Sequence, residues 1–102
     1  LRMAALGVRA GVSRKTAIES LTINGAACMD LQTRIGSLET GKDADLIVLS
    51  GDPFSVYTKV EQTWVEGVKV FDRSNPDDRL HAAGGFGAGR DQDPYFCCYE
   101  QK

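Results

Sequence analysis

The sequence predicts an α+β chain in which N-terminal helices are followed by a small antiparallel β-sheet. Two observations carry this: apolar residues recur at helical spacing over residues 1–31, and from Ile35 onward short β-type runs punctuated by glycine replace them. A third observation bounds the sheet, because from Ser74 the chain changes to Asn75-Pro76-Asp77-Asp78 and then to a glycine cluster. The expected divisions are residues 1–33, 34–73 and 74–102.

Between Leu1 and Val12, Met3, Leu6 and Ala10 fall on one line of a helix and Ala4, Val8 and Val12 on the next, which makes a wide apolar stripe. Gly11 is placed to end this helix in a left-handed cap, and Ser13 offers a side-chain oxygen to begin another. The second helix is expected to turn Ala17, Ile18, Leu21 and Thr22 inward. Asn24-Gly25 interrupts it, and Asn24 is positioned to cap a short third helix through Ala26, Ala27, Cys28 and Leu31, with Cys28 read as a buried small apolar residue. Gly36 and Gly41 bracket a turn. Leu46 to Leu49 then read as a buried first strand, stopped by Gly51-Asp52-Pro53 because proline donates no ladder hydrogen bond and restricts its predecessor. Val60 to Val65 and Val68 to Phe71 read as two further strands joined by a two-residue hairpin turn, Glu66-Gly67. Trp64 is expected to cover the sheet or join its core. The remainder reads as a flexible arm carrying Gly84, Gly85, Gly87 and Gly89, with an apolar end, Tyr95 to Tyr99, able to dock.

A chain of 102 residues fits one small domain, and a domain of this size buries about two-thirds of the surface its unfolded chain exposes. Its 42% apolar and 25% charged residues are ordinary for a soluble globular protein. Twelve basic against fourteen acidic residues give a net charge of -2, which offers no general attraction for nucleic acid or an anionic membrane. Neither is an expected partner. No apolar run approaches the roughly 18 to 20 residues of a membrane span, and no secretory leader pattern opens the chain. The first residue is Leu, so the natural start is expected upstream. Cys28, Cys97 and Cys98 cannot all pair within one chain, and adjacent Cys97 and Cys98 lack the usual zinc-ligand spacing. Compartment stays open, with the cytoplasm favoured.

Residues 36–43, Gly-Ser-Leu-Glu-Thr-Gly-Lys-Asp, come within one residue of the phosphate-loop pattern G-x-x-x-x-G-K-[ST]. Asp43 stands where the magnesium-binding hydroxyl belongs, and the order is helix, turn, strand rather than strand, loop, helix. The segment is therefore read as a turn feeding a strand. His81 is the single histidine and is read as solvated; alone it cannot build a zinc site. Asp43 and Asp45 flank Ala44 and point to one side of an extended chain, where such carboxylates usually bond turn backbone groups. Ser13, Ser37, Ser50, Ser55 and Ser74 have no histidine near in sequence. The glycine cluster misses G-x-G-x-x-G at Arg90. No catalytic, cofactor-binding or metal-ligating residue is assigned.

Residues 11–54 together with 60–73 resemble the C-terminal end of metal-dependent amidohydrolases of the imidazolonepropionase-like and dihydroorotase-like kind. The matching positions are Thr22, Asn24 and Ala26; Gly36, Leu38, Gly41, Lys42, Ala44, Asp45 and Leu46; and Val60, Val65 and Gly67. Gly25 replaces the family's usual proline. The resemblance covers about residues 1–73 and implies the end of an incomplete TIM-like barrel leading into part of a β-sandwich. It also implies a divalent metal such as zinc for the full-length enzyme, held by histidines, a carboxylated lysine and an aspartate, none at a position in this chain. The activity implied for the whole enzyme is hydrolysis of non-peptide C–N bonds by metal-activated water. The expected partner is thus the missing N-terminal barrel of the same enzyme, with this chain inactive alone. The alternative is a self-standing β-rich interaction module or subunit. Open strand edges further predict a homo-oligomer, with Trp64 or Leu46 to Leu49 at the contact.

Overall fold

The computed structural model describes residues 1–83. In chain order these form α1 (Arg2–Arg9), α2 (Arg14–Leu21), α3 (Ile23–Cys28), β1 (Leu46–Leu49), β2 (Val60–Val65), β3 (Val68–Asp72) and α4 (Pro76–Ala83). The α+β class and the order of its parts are those expected, and β3 runs one residue further than its apolar pattern, to Asp72. The C-terminal segment with Cys97, Cys98 and Tyr95 to Tyr99 lies outside the described residues, as does the glycine cluster.

Local bonds explain the helix limits. At the end of α1 the Val12 N–H donates to the Gly7 carbonyl at 3.0 Å and the Gly11 N–H to Val8 at 3.1 Å, the paired closure of a left-handed cap with Gly11 at its centre. Ser13 starts α2 as expected, its Oγ accepting from the Thr16 N–H at 3.1 Å. The start of α3 departs from expectation. Asn24 lies inside the helix rather than before it, and Thr22 at the boundary sends its hydroxyl back to the Ile18 carbonyl at 2.9 Å instead of capping. Asp30, at φ 61, closes α3 with the Leu31 N–H donating to Ala26 at 2.9 Å. A short polar side chain tolerates that conformation where most residues do not.

The three strands form one antiparallel sheet in the order β1-β2-β3. Leu46 pairs with Trp64 and Ile47 with Thr63 on one side of β2, while Thr63 pairs with Phe71 and Trp64 with Lys69 on the other. The turn between β2 and β3 is the expected Glu66-Gly67, with φ of 51 and 78. Two positive φ values in succession match the right-handed twist of the flanking strands. Trp64 is half-buried, its indole N–H donating to Gln62 Oε1 at 3.2 Å and the Lys69 ammonium 6.0 Å from its ring.

The segment after Ser74 is not an arm throughout. Residues 76–83 are helical, and His81 lies exposed on that helix. Asn75 caps it, accepting at Oδ1 from the Asp77 N–H at 3.0 Å, and Pro76 takes the first helical position, where an N–H would have no partner anyway.

Packing is thin. Among the described residues only Ala4, Ala17 and Ala26 are buried apolar side chains. They sit where α1 meets α2 and α2 meets α3, and none of these helices packs against a strand. Cys28, expected inside, is exposed, and so are Leu21 and Thr22. Ile47 and Val48 in the supposedly buried strand are 47% and 41% exposed. The reason is common to all of them: their apolar stripes face no second layer.

Candidate functional site

The joint between helices and sheet, residues 32–45, carries the phosphate-loop-like sequence. Its geometry is that of a knot in the chain. The Lys42 side chain is 13% exposed, and its ammonium donates to the Gln32 carbonyl at 2.6 Å, to Ser37 Oγ at 2.6 Å and pairs with the Glu39 carboxylate at 2.9 Å. All three N–H groups are thus directed into the turn. Ser37 and then Lys42 hold the Glu39 carboxyl below the usual carboxylate range. A Cβ on Gly36, at φ 93, would stand 2.8 Å from Ala26 Cβ and 3.0 Å from the Ile23 backbone. Only glycine lets the turn approach α3 so closely.

Asp43 and Asp45 do not converge on a common ligand. Asp43 Oδ2 accepts from Arg34 Nε at 2.7 Å while the Asp43 N–H donates to the Arg34 carbonyl at 2.9 Å. Asp45 Oδ1 accepts from the Glu66 N–H at 2.8 Å, and the Ala44 carbonyl accepts from Gly67 at 3.1 Å. Both acids therefore fasten the joint, one to its own start and one to the β2–β3 hairpin. Among the described residues no group of three or more His, Cys, Asp or Glu side chains is placed to hold a metal ion. The donor set does not fit the divalent centre that the resemblance implies.

A second fastening was not foreseen from the sequence. Arg14, at the start of α2, donates through Nη2 to both oxygens of Asp52 at 2.8 Å, and its guanidinium lies 4.8 Å from the Phe54 ring centroid. Asp52 also accepts from the Phe54 N–H at 2.9 Å. That backbone bond first, and Arg14 second, lower its pKa. The sequence signal was present in Asp52-Pro53, since an aspartate before proline favours a side-chain-closed turn; its helical partner, 38 residues away, has no local signature.

Concave surfaces of the described residues include the following. One, of about 210 Å³, separates α1 from residues 53–58. Another, of about 470 Å³, runs between α2–α3 and β1 and is walled by Leu21, Met29, Ile35, Leu38, Leu46 and Ile47. Leu38 and Met29 there are 75% and 63% exposed. This groove is apolar and carries no nucleophile–base pair, so its chemistry is that of a packing surface.

A sequence profile described as the amidohydrolase family matches residues 2–71. The chain is 36% identical over 70 residues to an imidazolonepropionase of Picrophilus torridus, covering 63% of this chain and 18% of that protein. It is 37% identical over 79 residues to a 5-methylthioadenosine/S-adenosylhomocysteine deaminase of Teredinibacter turnerae, covering 63% and 18% respectively. A crystal structure of an amidohydrolase from Thermotoga maritima superposes with a TM-score of 0.67 at 46% identity, over 69% of this chain and 18% of that one. The chain thus spans less than a fifth of each of these relatives.

Proposed function

We propose that this chain, which belongs to the amidohydrolase family, is the C-terminal, non-catalytic part of a metal-dependent hydrolase acting on non-peptide C–N bonds. In this reading α1–α3 close a barrel built from the rest of the enzyme, and the sheet forms part of its β-sandwich. The observation that carries it is the unfilled interior: three alanines form the whole buried apolar set of the described residues, while Met3, Leu6, Met29 and Leu38 face outward. A self-sufficient domain of comparable length hides its large apolar side chains rather than its alanines. The catalytic metal and its ligands then belong to the remainder of the polypeptide, and the joint 32–45 holds the sheet against the barrel end. The bonds such an enzyme cleaves are of the amide, cyclic amide or amidine class.

The test compares the chain alone with the chain joined to the polypeptide encoded upstream. Hydrolysis of non-peptide amides, cyclic amides or amidines, together with a bound divalent metal, is expected only of the joined protein. Tight zinc retention and hydrolysis by the isolated chain would overturn the proposal. An upstream reading frame without an H-x-H motif would favour the interaction module instead.

A further inference from the structure

The chain contains two asparagines, Asn24 and Asn75, in opposite settings. Asn75 caps α4, its Oδ1 accepting from the Asp77 N–H at 3.0 Å, and it is followed by Pro76, whose nitrogen carries no hydrogen. Asn24 is followed by Gly25, and both are exposed. The Asn24 amide makes no hydrogen bond among the described residues. Outside its own helix and chain neighbours, a Cβ on Gly25 would meet only the Ser20 carbonyl, at 4.0 Å. The pair occupies the second and third positions of α3, a helix of six residues to which Thr22 gives no side-chain cap. The first four N–H groups of a helix have no partner within it, and so short a helix is marginal without packing. The turn that carries Asn24 and Gly25 is therefore the part of α3 least able to stay closed.

We infer that Asn24-Gly25 is a site of self-modification by deamidation. When the first turn of α3 opens, the Gly25 backbone nitrogen loses its proton and attacks Asn24 Cγ; the new C–N bond closes a succinimide ring as the C–N bond to the side-chain NH2 breaks, and that group leaves with a proton as ammonia. Water then opens the ring at either carbonyl, giving aspartate or isoaspartate. Glycine favours the closure because no Cβ hinders the approach of its nitrogen and its backbone turns freely. The product acts on the joint. An isoaspartyl link carries the main chain through an extra methylene between Ile23 and Ala26, and these are the two residues on which Gly36 sits, its would-be Cβ 2.8 Å from Ala26 Cβ and 3.0 Å from Ile23 Cα. A helix lengthened there cannot present both to the turn at once, so modification releases α3 from residues 32–45. The inference rests on this chain's own residues and does not depend on what the complete protein hydrolyses.

The test is peptide mass spectrometry of the chain held for weeks in mildly alkaline buffer. Trypsin, cutting after Lys15 and Arg34, releases residues 16–34, in which Asn24 is the single asparagine. That peptide is expected to gain the small mass of an NH2 replaced by OH and to split into aspartyl and isoaspartyl forms, faster as pH rises, while Asn75 stays unchanged as the internal control. Gly25→Ala fits the open space at that position and is expected to slow the conversion about tenfold, by crowding the nitrogen and by firming the helix. Amide exchange of the isoaspartyl chain, separated from the unmodified one, should be faster across residues 23–28 and unchanged in β2 and β3. An unaltered peptide 16–34, equal conversion at Asn75, a rate indifferent to Gly25→Ala, or an isoaspartyl chain with exchange in α3 unchanged would each overturn the inference.

Discussion

Individual side chains show how closely the joint is specified. At Gly36 both the positive φ and the 2.8 Å approach to Ala26 exclude a side chain, and part of the obstacle is the Ile23 backbone, which cannot swing aside. Gly36→Ala is therefore expected to destabilise the joint by about 1–3 kcal/mol, seen as faster amide exchange throughout α3. Asp72 provides a titration. Hydrogen bonding from the Lys69 ammonium, then from the Ser74 hydroxyl and N–H, holds its carboxyl down to about 2, from an ordinary value of 3.8. A folded pKa below the unfolded one means that its stabilisation is complete above the unfolded value and disappears as pH falls through the folded one. Thermal melting followed by circular dichroism should show lower midpoints as pH drops from about 4 towards 2, and Asp72→Asn should flatten that part of the profile.

At the scale of elements, the strands were legible because each apolar run ended at a feature with one strong local meaning: Pro53 after β1, and the Glu66-Gly67 turn between β2 and β3. Inward and outward faces were not. The apolar line of Met3 and Leu6 is as regular as that of Ala4 and Val8, yet only the second meets another helix; Met3 is 76% exposed and Ala4 8%. Periodicity identifies a face that seeks cover but not whether cover is present. Cys28 failed for the same reason. The helix α4 was hidden by its neighbours, since Asn75-Pro76-Asp77-Asp78 spells both a turn and a capped helix start with acids in its first turn. The phosphate-loop resemblance dissolves at this scale too. Phosphate binding needs Lys42 directed at a ligand, and here its ammonium is spent on Gln32, Ser37 and Glu39. Calorimetric titration with ATP or GTP should give no binding at micromolar concentration; an affinity abolished by Lys42→Ala would contradict the arrangement.

Across the whole molecule, the decisive quantity is how much apolar surface folding removes from water. The heat-capacity change of unfolding measures this directly, since newly exposed apolar surface raises it by about 0.45 cal/mol/K per Å². In the described residues α1–α3 and the sheet share no helix-on-strand packing, and the links between them are the joint 32–45 and the Arg14–Asp52–Phe54 fastening. Exposed ion pairs and turns of this kind order a chain without hiding much hydrocarbon. Calorimetry at a concentration too low for self-association should therefore give a heat-capacity change well below the roughly 1.2–1.5 kcal/mol/K usual for a domain of about 100 residues, with a broad transition. Joining the upstream polypeptide should do more than add that polypeptide's own contribution, because Met3, Leu6, Met29 and Leu38 would then be covered as well. A sharp transition of the dilute chain with a full-sized heat-capacity change would mean that these faces are already covered, and the proposed dependence on a larger enzyme would fail.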